Sequence, residues 1–421
     1  MRFIHCADLH LDSPLRGLNH YEGAPVEQMR AATRHAFINV INLTLEREAD
    51  CLLIAGDVFD GDWKDFNTGL FFANQLRRLT EVGIKIFIVL GNHDALGNMT
   101  RRVPWPKGTH LFRADKVETV VDEKLGLAVH GQSFAESAVM VDLAQHYPVN
   151  RPGFLNVGLL HTALSGREGH APYAPTTVNV LSEKGYDYWA LGHVHTREII
   201  SEKPWIVFPG NTQGRHARET GAKGCLVVEG DAEDGIRSVE FVATDVARWF
   251  DVQLDVTALS HLDELQLAVQ TVVREAVRET DERLLALRLT LRGRTALHSQ
   301  LVNRTDSLRA DLCAWLNEAS AGLAWLEKIS LRVDAPLDLA VLARRDDPFG
   351  LLVRMLDELS HNPDQLNRLA HTATEELEQR IPPELRDDPG LNGLSRDEVH
   401  QEALILARER LLAHLSLEGT P

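Results

Sequence analysis

Five short polar clusters, each set at the carboxyl end of an apolar run, constrain this chain more than any other feature. They are Asp8-Leu9-His10 after RFIHCA, Gly56-Asp57-Val58-Phe59-Asp60 after CLLIA, Gly91-Asn92-His93-Asp94 after KIFIVL, His161 closing NVGLLH, and Gly192-His193-Val194-His195 after YWAL. In an open α/β sheet, ligands bind outside the carboxyl ends of the strands. Five such ends can therefore converge on one place. Asp8 and His10 are two residues apart, so on a strand they project to the same face, as do His193 and His195. Carboxylate oxygen with imidazole nitrogen suits a borderline divalent ion such as Mn²⁺, Fe²⁺ or Zn²⁺. The lack of cysteine in the clusters speaks against a structural zinc site. The glycines before Asp57, Asn92 and His193 fit sharp turns that let the following side chain face a metal.

The apolar runs carrying these clusters belong to a longer series. Further strands are expected at 127–131, 205–210 and 224–230, with helical patterns at 26–48 and 66–82. Continuous apolar strands separated by helical crossovers indicate a sheet buried on both faces, hence an α/β layered domain over residues 1–245. From about 250 the texture changes. FDVQLDV, LLALRLTL and LEKISLRVD alternate apolar and polar residues, as half-buried strands do, and helical stretches 260–280 and 305–321 separate them. A small α+β domain is expected over 250–335. Residues 337–421 read as a helical region, with amphipathic segments PFGLLVRMLDELS and RDEVHQEALILARERLLAHL about a Pro/Gly/Asp linker, IPPELRDDPGLNG.

At 421 residues the chain exceeds the usual size of one core. No apolar run reaches the roughly 20 residues needed to span a bilayer. The start lacks the basic and long apolar regions of a signal peptide. Cys6, Cys51, Cys225 and Cys313 are scattered without CxxC spacing, and the default is a reducing cytoplasm. The net charge of −17 is awkward for a nucleic-acid binder. Its distribution softens the objection, because Asp338–Glu418 alone carries 17 acidic against 9 basic residues. Bound cations would also offset the carboxylates that hold them.

The order DxH, GDxxD, GNHD, H, GHxH resembles the calcineurin-like metallophosphoesterases. The segments DLHLDSPLRGL and PGNTQGRHARETGAKG look like the YhaO branch of the SbcD-type DNA nucleases. The resemblance implies a layered β-sandwich core flanked by helices, followed by a capping domain. It implies that Asp8, His10, Asp57 and His195 hold one metal and that Asp57, Asn92, His161 and His193 hold the other, with Asp57 bridging. His93 would approach the phosphate to stabilise charge or protonate the leaving oxygen, with Asp94 orienting its ring. The implied cofactor is a pair of divalent ions, Mn²⁺ first, with Fe²⁺, Zn²⁺ or Mg²⁺ as alternatives, acidifying a bridging water into a nucleophile. The implied partners are DNA and a coiled-coil ATPase of the SbcC or YhaN kind, with the C-terminal helices as candidate docking segments. Related nucleases are often homodimers, and no segment here marks a dimer face.

Two departures matter. The family often has tryptophan where this chain has Leu9, which points to the YhaO branch. Archaeal and eukaryotic relatives often carry histidine at the position of Asp60, which bacterial SbcD-type sequences share. Asp60 is left as either a loop hydrogen-bonding group or a group orienting a ligand. Arg215, His216, Arg218 and Lys223 form a basic loop that could touch a nucleic-acid backbone, a solvated charged loop being the plain alternative. His5, His130 and His146 read as structural, and His170 as a rim residue. A nucleotide or other small phosphodiester is the alternative substrate, and a non-catalytic scaffold for an ATPase is the alternative of another class.

Overall fold

The computed structural model describes residues 1–13, 25–60, 66–95, 103–164, 172–281, 283–335, 342–380, 400–408 and 411. His170, the 381–393 linker and parts of 8–18 and 396–415 lie outside them. The chain divides into two compact units, Met1–Asp251 with Val277–Leu287 and Leu323–Glu327, and Val252–Ala276 with Arg288–Gly322 and Lys328–Pro421.

The first unit contains two six-stranded sheets. One runs β12-β11-β1-β2-β3-β4, from β1 (Arg2–Cys6), β2 (Cys51–Ala55), β3 (Lys85–Val89), β4 (Thr109–Leu111), β11 (Gly224–Asp231) and β12 (Gly235–Ala243). The other runs β5-β6-β7-β8-β10-β9, from β5 (Glu118–Asp122), β6 (Leu127–Gly131), β7 (Leu155–His161), β8 (Tyr188–Gly192), β9 (Glu198–Glu202) and β10 (Trp205–Phe208). Three apolar layers explain why the central strands are apolar throughout. In β2, Cys51, Leu53 and Ala55 pack with Leu127, Val157, Leu159 and Tyr188 between the sheets. Leu52 and Ile54 face the other way, against Phe37, Val40 and Ile41 of α1 (Val26–Glu46) and Phe72 and Leu76 of α2 (Phe66–Thr80). In β8 the roles repeat, with Ala190 inside and Trp189 and Leu191 packed outward beside Leu181 of α3 (Val178–Glu183). Each such Leu or Ile withdrawn from water contributes about 1.5–3 kcal/mol. The layered sandwich flanked by helices is the expected fold.

Four strands were not foreseen: β4, β5, β9 and β12. They lie at or next to sheet edges and are mostly half-exposed, so they carry neither a continuous apolar run nor a clean alternation. Leu9 is buried in the helix-side layer.

A third sheet has the order β13 (Ala247–Asp255), β14 (Leu284–Arg294), β15 (Ala324–Asp334). With it come α4 (Leu262–Glu279), α5 (His298–Asn303) and α6 (Thr305–Ser320). In α4, Leu265, Val269 and Val273 are buried at four-residue spacing, the stripe expected of an amphipathic helix. α7 (Pro348–Ser360) starts where Asp347 accepts the Gly350 N–H and proline occupies the first turn. It packs Leu352, Leu356 and Leu359 with Leu366 of α8 (Pro363–Arg380) and with Leu404. Among the described residues, no helix is long and apolar enough to cross a membrane.

Candidate metal centre

β1, β2 and β3 run parallel, as do β7 and β8, so within each sheet the carboxyl ends share one edge. The two edges are tied together by polar contacts. Both Asp8 oxygens accept the His193 N–H at 3.1 Å, and His161 Nδ1 donates to Ala55 O at 2.9 Å. Asp8, His10, Asp57, Asn92, His161, His193 and His195 all reach this junction. Asp8, His10, Asp57 and His193 hold positive φ angles of 52°, 42°, 50° and 100°. Such angles cost non-glycine residues free energy and persist where surrounding structure enforces them. The glycines act less as turns than as clearances. Only Gly56 among the three has positive φ, whereas a Cβ on Gly91 would lie 2.2 Å from Asp57 Oδ1 and one on Gly192 1.9 Å from Ala55 O.

The side chains form two donor sets. In the first, His10 Nε2 and His195 Nε2 are 3.2 Å apart, with an Asp8 carboxylate oxygen close enough to share one ligand site with both rings. In the second, His161 Nε2 lies 3.0 Å and His193 Nδ1 3.2 Å from Asn92 Oδ1. Asp57 Oδ2 stands 3.8 Å from His10 Nε2 and 3.5 Å from His161 Nε2, so one carboxylate oxygen faces both sets. Its Oδ1 accepts the His93 N–H at 3.0 Å.

These contacts test whether metal ions fit. Bonding of His161 Nδ1–H to Ala55 O leaves Nε2 as a lone pair, and it faces two other electron-rich atoms, Asn92 Oδ1 and Asp57 Oδ2. Burial holds the His161 imidazole down at about 3, so no proton sits between them at neutral pH. Burial and then the Arg215 charge likewise hold His10 neutral. Donors sharing a cation at about 2.1 Å sit about 3.0–3.4 Å from one another, close to the spacing found. The residues fit divalent cations, with Asp57 standing between the two donor sets. Burial raises Asp57 to about 6 and Asp8 well above the usual carboxylate range, which bound cations would reverse.

His93 stands beside this junction, half-exposed, with its ring edge-on to His10 at 4.9 Å. Its Nδ1 is 3.0 Å from Asp60 Oδ1, and this hydrogen bond raises the His93 pKa. Asp60 also accepts from Ser13 Oγ at 2.6 Å and lies 3.5 Å from His10 Nδ1. Burial pushes its carboxyl up, but the contacts with His10, His93 and Ser13 outweigh it and hold Asp60 well below the usual range. Asp60 thus hydrogen-bonds to Ser13 and to the His93 ring, whereas His10 Nδ1 has no hydrogen-bond partner among the described residues.

Asp94 requires a correction. It was expected to orient His93. Its oxygens instead accept the N–H groups of Val58, Phe59 and Gly91 at 2.9–3.1 Å, stitching the second cluster to the third, and Asp60 orients the ring. Burial and the Asp57 charge raise Asp94 to about 7.

The basic loop also divides. His216 and Arg218 are exposed, as a rim requires. Arg215 turns inward, 3.7 Å from Asp60 and 3.6 Å from Glu219. Lys223 is buried and donates to His195 O at 3.0 Å, which removes it from any rim. Glu219 was missed altogether. Its Oε1 lies 2.6 Å from His195 Nδ1, and only its place in the quoted loop segment could have drawn attention to it. His5 is buried between Tyr188 OH and Leu191 O, and His130 stacks on Tyr186, both structural; His146 is exposed.

Comparison with known proteins agrees with this geometry. Residues 1–197 match the calcineurin-like phosphoesterase family, and residues 249–334 match the middle domain of the metallophosphoesterase YhaO. Residues 1–197, slightly less than half of the chain, are therefore similar to a calcineurin-like phosphoesterase domain. It is 36% identical over 269 residues to the uncharacterized metallophosphoesterase YhaO of Bacillus subtilis, across 63% of this chain and 65% of that one. It is also 24% identical over 315 residues to the DNA double-strand break repair protein Mre11 of Methanopyrus kandleri, across 66% of this chain and 65% of that protein. The Mre11 of Sulfurisphaera tokodaii is 24% identical over 277 residues, across 61% and 66%. The chain thus spans slightly less than two thirds of the length of each.

Proposed function

We propose that this chain is a two-metal phosphodiesterase that cleaves DNA with Mn²⁺ and works with a coiled-coil ATPase. The observation that carries the phosphodiesterase reading is the pair of donor sets sharing Asp57 Oδ2. Asp8, His10 and His195 would hold one cation and Asn92, His161 and His193 the other. When bound, the two cations neutralise the phosphate and lower the pKa of the attacking water. His93, whose pKa is raised by its hydrogen bond to Asp60, would protonate the leaving oxygen.

DNA is supported by the similarity to proteins named for double-strand break repair and by the exposed His216 and Arg218 beside the centre. Exposed Leu351 and Met355 on α7, Leu369 on α8, and Ile405 and Leu406 support docking of a partner on the C-terminal helices. The net charge of −17 favours a second reading, a nucleotide or other small phosphodiester as substrate. The test is Mn²⁺-dependent hydrolysis of linear and hairpin DNA and of bis-p-nitrophenyl phosphate. His93→Ala should lower kcat on both by about 10²–10⁴-fold while Mn²⁺ content stays at the wild-type level. Hydrolysis of the small diester without DNA cleavage, even with an ATPase partner present, selects the second reading. Equal inactivity of wild type and variant on all substrates rejects both.

A further inference from the structure

His195 is gripped from three sides by the segment that follows β10. Its carbonyl accepts from Lys223 Nζ at 3.0 Å and from the Asn211 N–H at 3.3 Å, and its ring Nδ1 meets Glu219 Oε1 at 2.6 Å. Glu219 is buried and has donors on both oxygens: Oε2 accepts from Asn211 Nδ2 at 3.0 Å and from the Arg215 N–H at 2.7 Å. Arg215 Nη2 also lies 3.3 Å from Nδ1, but the shorter contact with a carboxylate decides the proton. Nδ1 therefore carries the hydrogen, and Nε2, facing His10, is a lone pair.

We infer that Glu219 is the positioning residue of the first metal site, fixing the His195 tautomer that accepts a cation. The inference rests on the two-metal reading above. Only a carboxylate satisfies all three donors. In a Gln variant, keeping the Asn211 and Arg215 donors on oxygen turns the amide NH₂ toward Nδ1. The imidazole must then accept at Nδ1 and carry its hydrogen on Nε2, where the cation belongs. The reversed amide would instead oppose two N–H donors. Glu219→Gln therefore penalises one cation and spares the one held by Asn92, His161 and His193.

The test is Mn²⁺ titration of the full chain by calorimetry and elemental analysis, with melting measured in EDTA. Wild type should bind two ions. Glu219→Gln should bind one with wild-type affinity and the other about 10–100-fold more weakly. Glu219→Asp should recover part of the loss. Adding Glu219→Gln to His195→Ala should weaken binding no further, since the effect travels through that ring. Two ions bound at wild-type affinity by Glu219→Gln, or a full further loss in the His195→Ala background, overturns the assignment while leaving the two-metal reading intact. Failure of wild type to take up two ions overturns that reading itself.

Discussion

Gly192→Ala tests the proposal that the centre depends on close approach of two sheet edges. A Cβ at Gly192 would lie 1.9 Å from Ala55 O and 3.1 Å from Ala7 Cβ, and contacts under 3.0 Å essentially never occur. The strand ends must therefore separate by about 1 Å or more. That displacement cannot be absorbed harmlessly. Ala7 precedes Asp8, Gly192 precedes His193, and Ala55 O holds His161 Nδ1. Three ligands move together. Overpacking of this kind costs about 1–3 kcal/mol, a fall in Tm of several degrees. A misplacement of about 1 Å at reacting groups costs on the order of 10²-fold in rate. The assay is kcat on bis-p-nitrophenyl phosphate at saturating Mn²⁺, alongside thermal melting. Gly126→Ala is the control. It has a φ of +62° and nothing within 4 Å, and it lies at the amino end of β6, opposite the ligand-bearing edge. Its strain should cost about 1 kcal/mol without touching the rate. If Gly192→Ala keeps a third or more of the wild-type kcat, or slows no more than Gly126→Ala at equal loss of Tm, the clearance argument is wrong.

Two other outcomes follow from the same geometry. Burial leaves His161 neutral down to about 3 but raises Asp57 to about 6, so below that pH a proton on Asp57 competes with metal. Mn²⁺ affinity should rise with pH, by about tenfold or more per unit below pH 6, because protons on Asp57 and Asp8 both compete with metal; titrations at pH 5.5, 6.5 and 7.5 showing no such slope would refute this competition. Replacing the exposed His216 and Arg218 together by Ala should weaken DNA binding several-fold and reduce its salt dependence by roughly one unit of slope per lost contact. Turnover of bis-p-nitrophenyl phosphate should not change, and a loss there as well would move these residues from the rim into the centre.

What the amino-acid sequence determined by itself was the layering of the core and which polar side chains meet at the junction of the two sheets. Each of these side chains sits within four residues of a strand end, so local order carries the information, and the runs in β2 and β8 are apolar because both faces are covered. What only the tertiary structure decided was which groups stand behind those side chains. Glu219 reaches His195 across 24 residues, and Asp60 takes the place beside His93 that adjacency assigned to Asp94. Arg215 and Lys223 belong to a loop that reads as solvated charge, yet it folds inward over the centre. The physical reason is that a hydrogen bond is specified by distance and direction in space. Periodicity reports only which face of a strand or helix a residue occupies.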